Sequence, residues 1–146
     1  MRTNLIALDA IEVLESAPDF ENAIVTATEL LVSCGHVTRD YVLAVMQNLR
    51  ERGPYFVVAP QVAIAHAKPG PEVRSPGLTL LKLNEGVPSG NSIHQSVKLI
   101  FALATPDPDA HIELMGDLAV KLSNPEIMNS LLNASAKSVI WEILNA

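Results

Sequence analysis

The chain has 146 residues, of which 49% are apolar and 18% charged, so it predicts one compact domain over residues 1–146 that needs no disulfide or metal to fold. A formal net charge of -6 without a basic cluster excludes nucleic acid as the main partner, because that binding depends on Lys and Arg. The lone cysteine, Cys34, and the lack of a long apolar run indicate a cytoplasmic protein without a signal or a membrane span.

The first half of the chain predicts a strand and two helices. Alternating apolar and polar residues predict a short strand at residues 11–13. Apolar residues at helical spacing follow over residues 19–35, and Gly35 is a typical helix stop. A second helix is predicted over residues 38–53, with Thr38 as its cap and Gly53-Pro54 as its end.

The second half predicts most of the sheet and the remaining helices. Asp107-Pro108 and Asn124-Pro125 each combine a capping residue with a proline at the first helical position. A last helix is predicted to turn Val139, Ile140, Ile143 and Leu144 inward. Four strands are predicted at residues 55–58, 62–65, 78–83 and 97–104, with a loop at 68–76 and a turn at 84–92. The fold class is therefore α/β: a mixed sheet of about five strands with helices packed on it, in an order that the pattern leaves open.

Three of the four histidines lie in predicted loops or at their borders. His36 and His94 fall in polar turns, where solvated side chains are expected. His66 ends the apolar run of residues 62–65 and enters a proline-rich loop. Strand ends often present functional side chains on a rigid scaffold, so His66 is the first candidate for a functional residue.

His111 and Arg50 are the other two candidates. His111 lies on the inward stripe of its predicted helix, near an N-terminus that favours anions, although an inward histidine is more often a hydrogen-bonded core residue. Arg50 ends the second helix, where an arginine commonly is solvated. Two histidines, an arginine and a helix N-terminus are what a phosphohistidine site requires, although spacing does not establish that these groups meet.

Four segments resemble the enzyme IIA proteins of the mannitol–fructose class of the bacterial phosphoenolpyruvate-dependent sugar phosphotransferase system. Residues 53–60 (GPYFVVAP) are most similar to the ascorbate-type members, and residues 62–67 (VAIAHA) resemble the segment with the active histidine. Arg50-Glu51 and residues 111–114 (HIEL) resemble the arginine-acid pair and the segment of a second active-site histidine.

The resemblance implies a mannitol-type IIA fold and a phosphotransferase activity. His66 would accept a phosphoryl group on Nε2 from the histidine phosphocarrier protein and pass it to a cysteine of a IIB component. Arg50 would neutralise phosphoryl charge, and His111 would hydrogen-bond an oxygen. The resemblance implies no metal and no cofactor, a membrane association only through IIB and IIC, and a role in the transport of ascorbate or a related sugar.

One residue departs from the family pattern, and two other functions stay open. Ala65 stands where the family usually has proline before the active histidine, which removes a constraint on φ and leaves a backbone N–H. The chain could instead be a regulatory IIA-like module that binds partners according to its phosphorylation. A metal-dependent hydrolase would need three ligands around the metal, and no two histidines have ligand spacing.

Overall fold

The computed structural model describes residues 4–93 and 95–146, so His94 lies outside the described residues. A short 3-10 turn, Leu8–Ala10, precedes the first strand. The strands are β1 (Ile11–Leu14), β2 (Val57–Ala59), β3 (Gln61–Ala65), β4 (Gly77–Pro88) and β5 (Ser96–Ala104). The helices are α1 (Phe20–Ser33), α2 (Arg39–Arg52), α3 (Pro108–Leu122), α4 (Pro125–Asn133) and α5 (Lys137–Asn145).

The five strands form one mixed sheet in the order β1-β4-β5-β3-β2. β1 runs parallel to β4, and β3 runs parallel to β5, while β4 pairs with β5 and β2 with β3 in antiparallel fashion. The mixed sheet with helices confirms the predicted fold class. The sequence pattern could not give this order, and it is the order that places β3 beside β5.

Helices cover both faces of the sheet. Successive side chains of a strand point to opposite faces, and β5 shows this clearly. Ile100 and Ala102 pack in the cluster that holds α1 and α2, whereas Leu99 and Phe101 pack in the cluster that holds α3, α4 and α5. Both sets are fully buried, as expected for a sheet between two helical layers.

The predicted helix starts are confirmed in their positions. Asp19 and Asp107 cap α1 and α3 by accepting hydrogen bonds from backbone N–H groups three residues on. Asn124 caps α4 in the same way, and prolines occupy the first positions of α3 and α4. Thr38 stands at the N-cap of α2, but its side chain makes no capping hydrogen bond. None of the helices in the described ranges combines the length and apolar character that crossing a bilayer requires.

Three local predictions are wrong. Strand β4 continues to Pro88 through most of the predicted turn, because its end pairs again with β5 after an irregularity between Lys82 and Val87. Val139 is 45% exposed, because α5 buries the stripe of Ile140 and Leu144 and Val139 lies about 100° away from it. His36 is half-buried rather than solvated: its Nδ1 lies 2.9 Å from the Ser75 hydroxyl.

Candidate active site

Two parallel strands bring the two candidate histidines to one edge of the sheet. β3 and β5 are neighbours with Ala65 opposite Ala102, so their carboxyl ends lie side by side. His66 follows β3 directly, and α3 begins a few residues after β5. The carboxyl edge of parallel strands is the common place for ligand sites in α/β proteins.

The ring of His66 is held by a hydrogen bond that fixes its tautomer. Nδ1 lies 3.0 Å from the carbonyl oxygen of Ile64. Because a carbonyl oxygen can only accept, Nδ1 carries the hydrogen, and Nε2 of the neutral ring keeps its lone pair. The Asn48 amide donates to the His66 carbonyl at 3.3 Å and holds the backbone of the same residue. His66 is thereby oriented as a nucleophile through Nε2.

The surroundings of His66 favour its neutral form. Burial lowers the pKa of His66, and the electrostatic interactions with His111 and Arg52 lower it further, whereas the hydrogen bond to Ile64 acts in the opposite direction. The ring centroids of Phe56 and Tyr55 lie 5.5 Å and 5.9 Å from that of His66. These aromatic rings supply part of the apolar environment that disfavours an imidazolium.

His111 lies directly beside His66. The two ring centroids are 5.5 Å apart with an angle of 55° between the rings, and both side chains are half-buried. The backbone N–H of His111 donates to Asp107, within the first turn of α3. The Asp107 carboxylate already caps the Ala110 N–H, which reduces the anion-binding capacity of this helix end. The His111 side chain is therefore the group of α3 best placed to meet an anion on His66.

Tyr41 of α2 ties the two strand ends together behind His66. Its hydroxyl donates to the Leu103 carbonyl at 2.7 Å and accepts from the Ala67 N–H at 2.9 Å. Burial raises the pKa of Tyr41 to about 12, so the hydroxyl keeps its hydrogen at neutral pH. Nothing in the sequence pattern shows what the buried hydroxyl of Tyr41 will bind.

An open cleft of about 630 Å³ contains His66 and His111. One wall is a stripe of α2 at helical spacing, and the loop after His66 and the start of α3 form the rest. Arg52 lies at the end of that stripe, with its guanidinium carbon 5.6 Å from the centroid of the Tyr55 ring. Arg52, Tyr55 and Asn48 are site residues that the sequence reasoning missed; helical spacing from Ala44 and Asn48 to Arg52 was the signal that could have found the arginine.

The structure does not bring Arg50 into the cleft. Arg50 forms an ion pair with Glu21 at 3.3 Å, and its side chain is 73% exposed. Positions 50 and 52 are about 200° apart around a helix axis, so only one of the two arginines can share the face of Asn48. The predicted role of Arg50 in neutralising phosphoryl charge is thus not supported by its position.

Ala65 takes the place of the family's proline without loss of the extended backbone. It is the last residue of β3, is fully buried and pairs with Ala102. The strand pairing therefore keeps the backbone at Ala65 extended without the fixed φ of a proline ring. Among residues 4–93 and 95–146, no group of three or more His, Cys, Asp or Glu side chains could hold a metal ion.

Comparison with known proteins identifies the family of this chain. The model of the family described as "Phosphoenolpyruvate-dependent sugar phosphotransferase system, EIIA 2" matches residues 4–146. A mannitol-specific cryptic phosphotransferase enzyme IIA component from Escherichia coli (strain K12) is 31% identical over 137 residues, which cover 93% of this chain and 92% of the relative. The chain belongs to the EIIA 2 family and is a phosphotransferase component of the IIA type.

Other matches extend this finding. An ascorbate-specific EIIA component from Escherichia coli (strain K12) is 26% identical over 114 residues, or 78% of this chain and 74% of the relative. The solution structure of the cryptic mannitol IIA protein from Escherichia coli superposes with a TM-score of 0.87 at 29% identity, covering 97% of this chain and 95% of that one. The mannitol IIA protein in a complex with phosphorylated IIB, also from Escherichia coli, has the same fold, with a TM-score of 0.82 at 22% identity over 95% of this chain and 96% of that one.

Proposed function

We propose that His66 accepts a phosphoryl group from the histidine phosphocarrier protein and donates it to a cysteine of a IIB component. The observation that carries this proposal is the Nδ1 hydrogen bond to Ile64, which leaves the Nε2 lone pair free beside His111. The lowered pKa of His66, caused first by burial, adds to it, because only the neutral imidazole is nucleophilic.

Each transfer balances without a separate acid or base. The Nε2 lone pair attacks phosphorus in line while the bond from phosphorus to the carrier's histidine breaks, and that electron pair returns to the carrier. Throughout both transfers, Nδ1 of His66 keeps its hydrogen and donates it in the hydrogen bond to the Ile64 carbonyl oxygen. In the second transfer a IIB thiolate attacks phosphorus, and the bonding pair returns to Nε2. Positioning and electrostatics supply the catalysis, since neither transfer moves a proton to or from a side chain of the protein.

His111 is assigned to the phosphoryl oxygens. Its ring lies beside that of His66, and a ring N–H would donate to an oxygen whose charge grows in the transition state. The Asn48 and Tyr41 hydrogen bonds hold the peptide group that joins His66 to Ala67. These residues position His66 and do not touch the phosphoryl group.

Family membership supports the choice of partners. The neighbour determined in complex with phosphorylated IIB supports a IIB acceptor, and the family supports the histidine phosphocarrier protein as donor. Residues 1–146 then act as one phosphocarrier domain in the cytoplasm, associated with the membrane only through IIB and IIC.

For the sugar we propose ascorbate or a related compound, on the likeness of residues 53–60 and the ascorbate-specific relative. The mannitol-specific relative makes a mannitol-type IIB the necessary second acceptor to test.

The test is reconstitution of the phosphorelay. The purified chain is incubated with phosphoenolpyruvate, enzyme I and the carrier protein, and its intact mass is measured. We expect one added phosphoryl group, lost in His66→Ala and retained in the control His36→Gln, whose histidine lies outside the cleft. Ascorbate-type and mannitol-type IIB proteins are then offered as acceptors. Absence of phosphate from the wild-type chain would refute the proposal, and a stable phosphoprotein that neither IIB discharges would favour a regulatory module.

A further inference from the structure

Arg52 belongs to the face of α2 that forms a wall of the cleft. The cleft-lining positions of this helix are Ala44, Gln47, Asn48, Glu51 and Arg52, which follow the spacing of one helical face. Asn48 on this face already holds the His66 carbonyl at 3.3 Å. Arg52 is one helical turn further along the same stripe, so the direction of its side chain is set by how α2 packs on His66.

The guanidinium of Arg52 is held by an aromatic ring and not by a carboxylate. Its Cζ atom lies 5.6 Å from the centroid of Tyr55, and that ring stands edge-on to the ring of His66 at 5.9 Å. A cation–π contact uses no N–H hydrogen bond to a carboxylate, so the guanidinium donors remain available to an anion. Within the part of the chain that the structure describes, no acidic side chain forms an ion pair with Arg52, whereas Arg50 is paired with Glu21.

The other charged side chains that line the cleft are less suited than Arg52 to bind an anion on His66. Glu51 accepts a hydrogen bond from Gln47 on the same helix, and Glu72 lies in the loop that follows His66. Lys68 also lines the cleft, but Arg52 is the permanent cation whose charge acts on His66. A guanidinium, moreover, presents parallel N–H donors that match two phosphoryl oxygens, while an ammonium is a single point charge.

We propose that Arg52, and not Arg50, is the cation that binds the phosphoryl group carried on His66. This inference rests on the proposed phosphocarrier function and assigns the residue that neutralises the transferred charge. From its place beside Tyr55, whose ring lies 5.9 Å from that of His66, the guanidinium would bind one oxygen of a phosphoryl group on Nε2, with His111 bound to another. Charge neutralisation at the phosphoryl group lowers the barrier of both transfers, because the incoming and outgoing groups meet less repulsion.

The test compares matched variants two residues apart on one helix. Arg52→Gln, Arg52→Lys and the control Arg50→Gln are compared with wild type for the rate of phosphoryl uptake from the phosphorylated carrier. We expect Arg52→Gln to slow uptake by about 100-fold, as for loss of one preorganised charge-stabilising group. Arg52→Lys should recover part of the rate, and Arg50→Gln should stay within about twofold, as for an exposed ion pair.

A second readout needs no phosphate. The pKa of His66 is followed by NMR in the three variants, and it should rise in Arg52→Gln but not in Arg50→Gln or Arg52→Lys, since only the first removes a positive charge near the ring. Wild-type uptake in Arg52→Gln, or a large loss in Arg50→Gln, would overturn the inference. If the wild-type chain takes up no phosphate, the proposed function fails instead, and an unchanged His66 pKa in Arg52→Gln still counts against the inference.

Discussion

The imidazole rings of His66 and His111 lie 5.5 Å apart, although 45 positions separate them, because β3 and β5 are parallel neighbours. One ring ends a strand and the other begins a helix, so each is anchored by regular structure. Both rings line the cleft that has a face of α2 as another wall.

Removal of the His111 ring should weaken transfer without unfolding the chain. We expect His111→Ala to reduce the rate of phosphoryl uptake by about 10²–10³-fold, since one donor to the developing charge is lost. His111→Gln keeps an N–H donor and should recover part of the rate. Rapid-quench kinetics with the phosphorylated carrier provides the measurement. Equal rates for wild type and His111→Ala would mean that His111 is only a packing residue.

The pKa of His66 should lie below its ordinary value of 6.5, first because of burial. The neutral ring then predominates at neutral pH, and phosphoryl uptake should fall as the pH drops through this lowered pKa. The stability of the chain should also fall at low pH. Because His66 binds a proton more tightly in the unfolded chain than in the folded one, the free energy of unfolding decreases as the pH falls below about 6.5. NMR titration of the histidine ring protons measures the pKa, and a value at or above 6.5 would contradict the account.

Tyr41→Phe should loosen the strand ends behind His66. The variant leaves the buried Ala67 N–H and the Leu103 carbonyl without their partner, which costs about 1–3 kcal/mol in the free energy of unfolding. Tyr55→Phe is the matched control, because no hydrogen bond of the Tyr55 hydroxyl occurs within the described residues, and its stability should change little. Urea denaturation of both variants gives the comparison. A Tyr41→Phe variant as stable as Tyr55→Phe would show that the two hydrogen bonds contribute nothing net.

Two glycines should respond in opposite directions to alanine. A Cβ at Gly77 would overlap the ring and Cβ of His36, so Gly77→Ala should destabilise by about 1–3 kcal/mol. A Cβ at Gly116, in the middle of α3, meets open space, so Gly116→Ala should stabilise by about 0.5–1 kcal/mol through helix propensity. Thermal unfolding of the two variants is the measurement, and a stabilised Gly77→Ala would refute the packing of His36 described above.

Much of the fold followed from local sequence signals, whereas the site did so only in part. Asp107 and Asn124 with their prolines marked helix starts, because capping is a local interaction. The meeting of His66 with His111 depends on β3 lying next to β5, which is a long-range pairing that no local pattern encodes. The family resemblance pointed to the positions of the histidines and to Arg50.

The family resemblance did not identify the arginine that lines the cleft. Position 50 matches the family's arginine in sequence, but the direction of its side chain depends on the local partner, and here Glu21 holds Arg50 away from the cleft. Arg52 lies in the site because it shares the cleft-facing side of α2 with Asn48 and because its guanidinium contacts the ring of Tyr55. Neither the ion pair nor the ring contact can be read from the sequence, because each joins α2 to a residue of another segment.

The most direct test of the account is the NMR spectrum of the phosphorylated chain labelled with ¹⁵N in its histidines. Correlation of the ring nitrogens with ring protons and ³¹P identifies the nitrogen that carries phosphorus. We predict a single phosphohistidine on Nε2 of His66, with the Nδ1 hydrogen still present because Ile64 accepts it. Phosphorus on Nδ1 of His66, or on His111, would contradict the account.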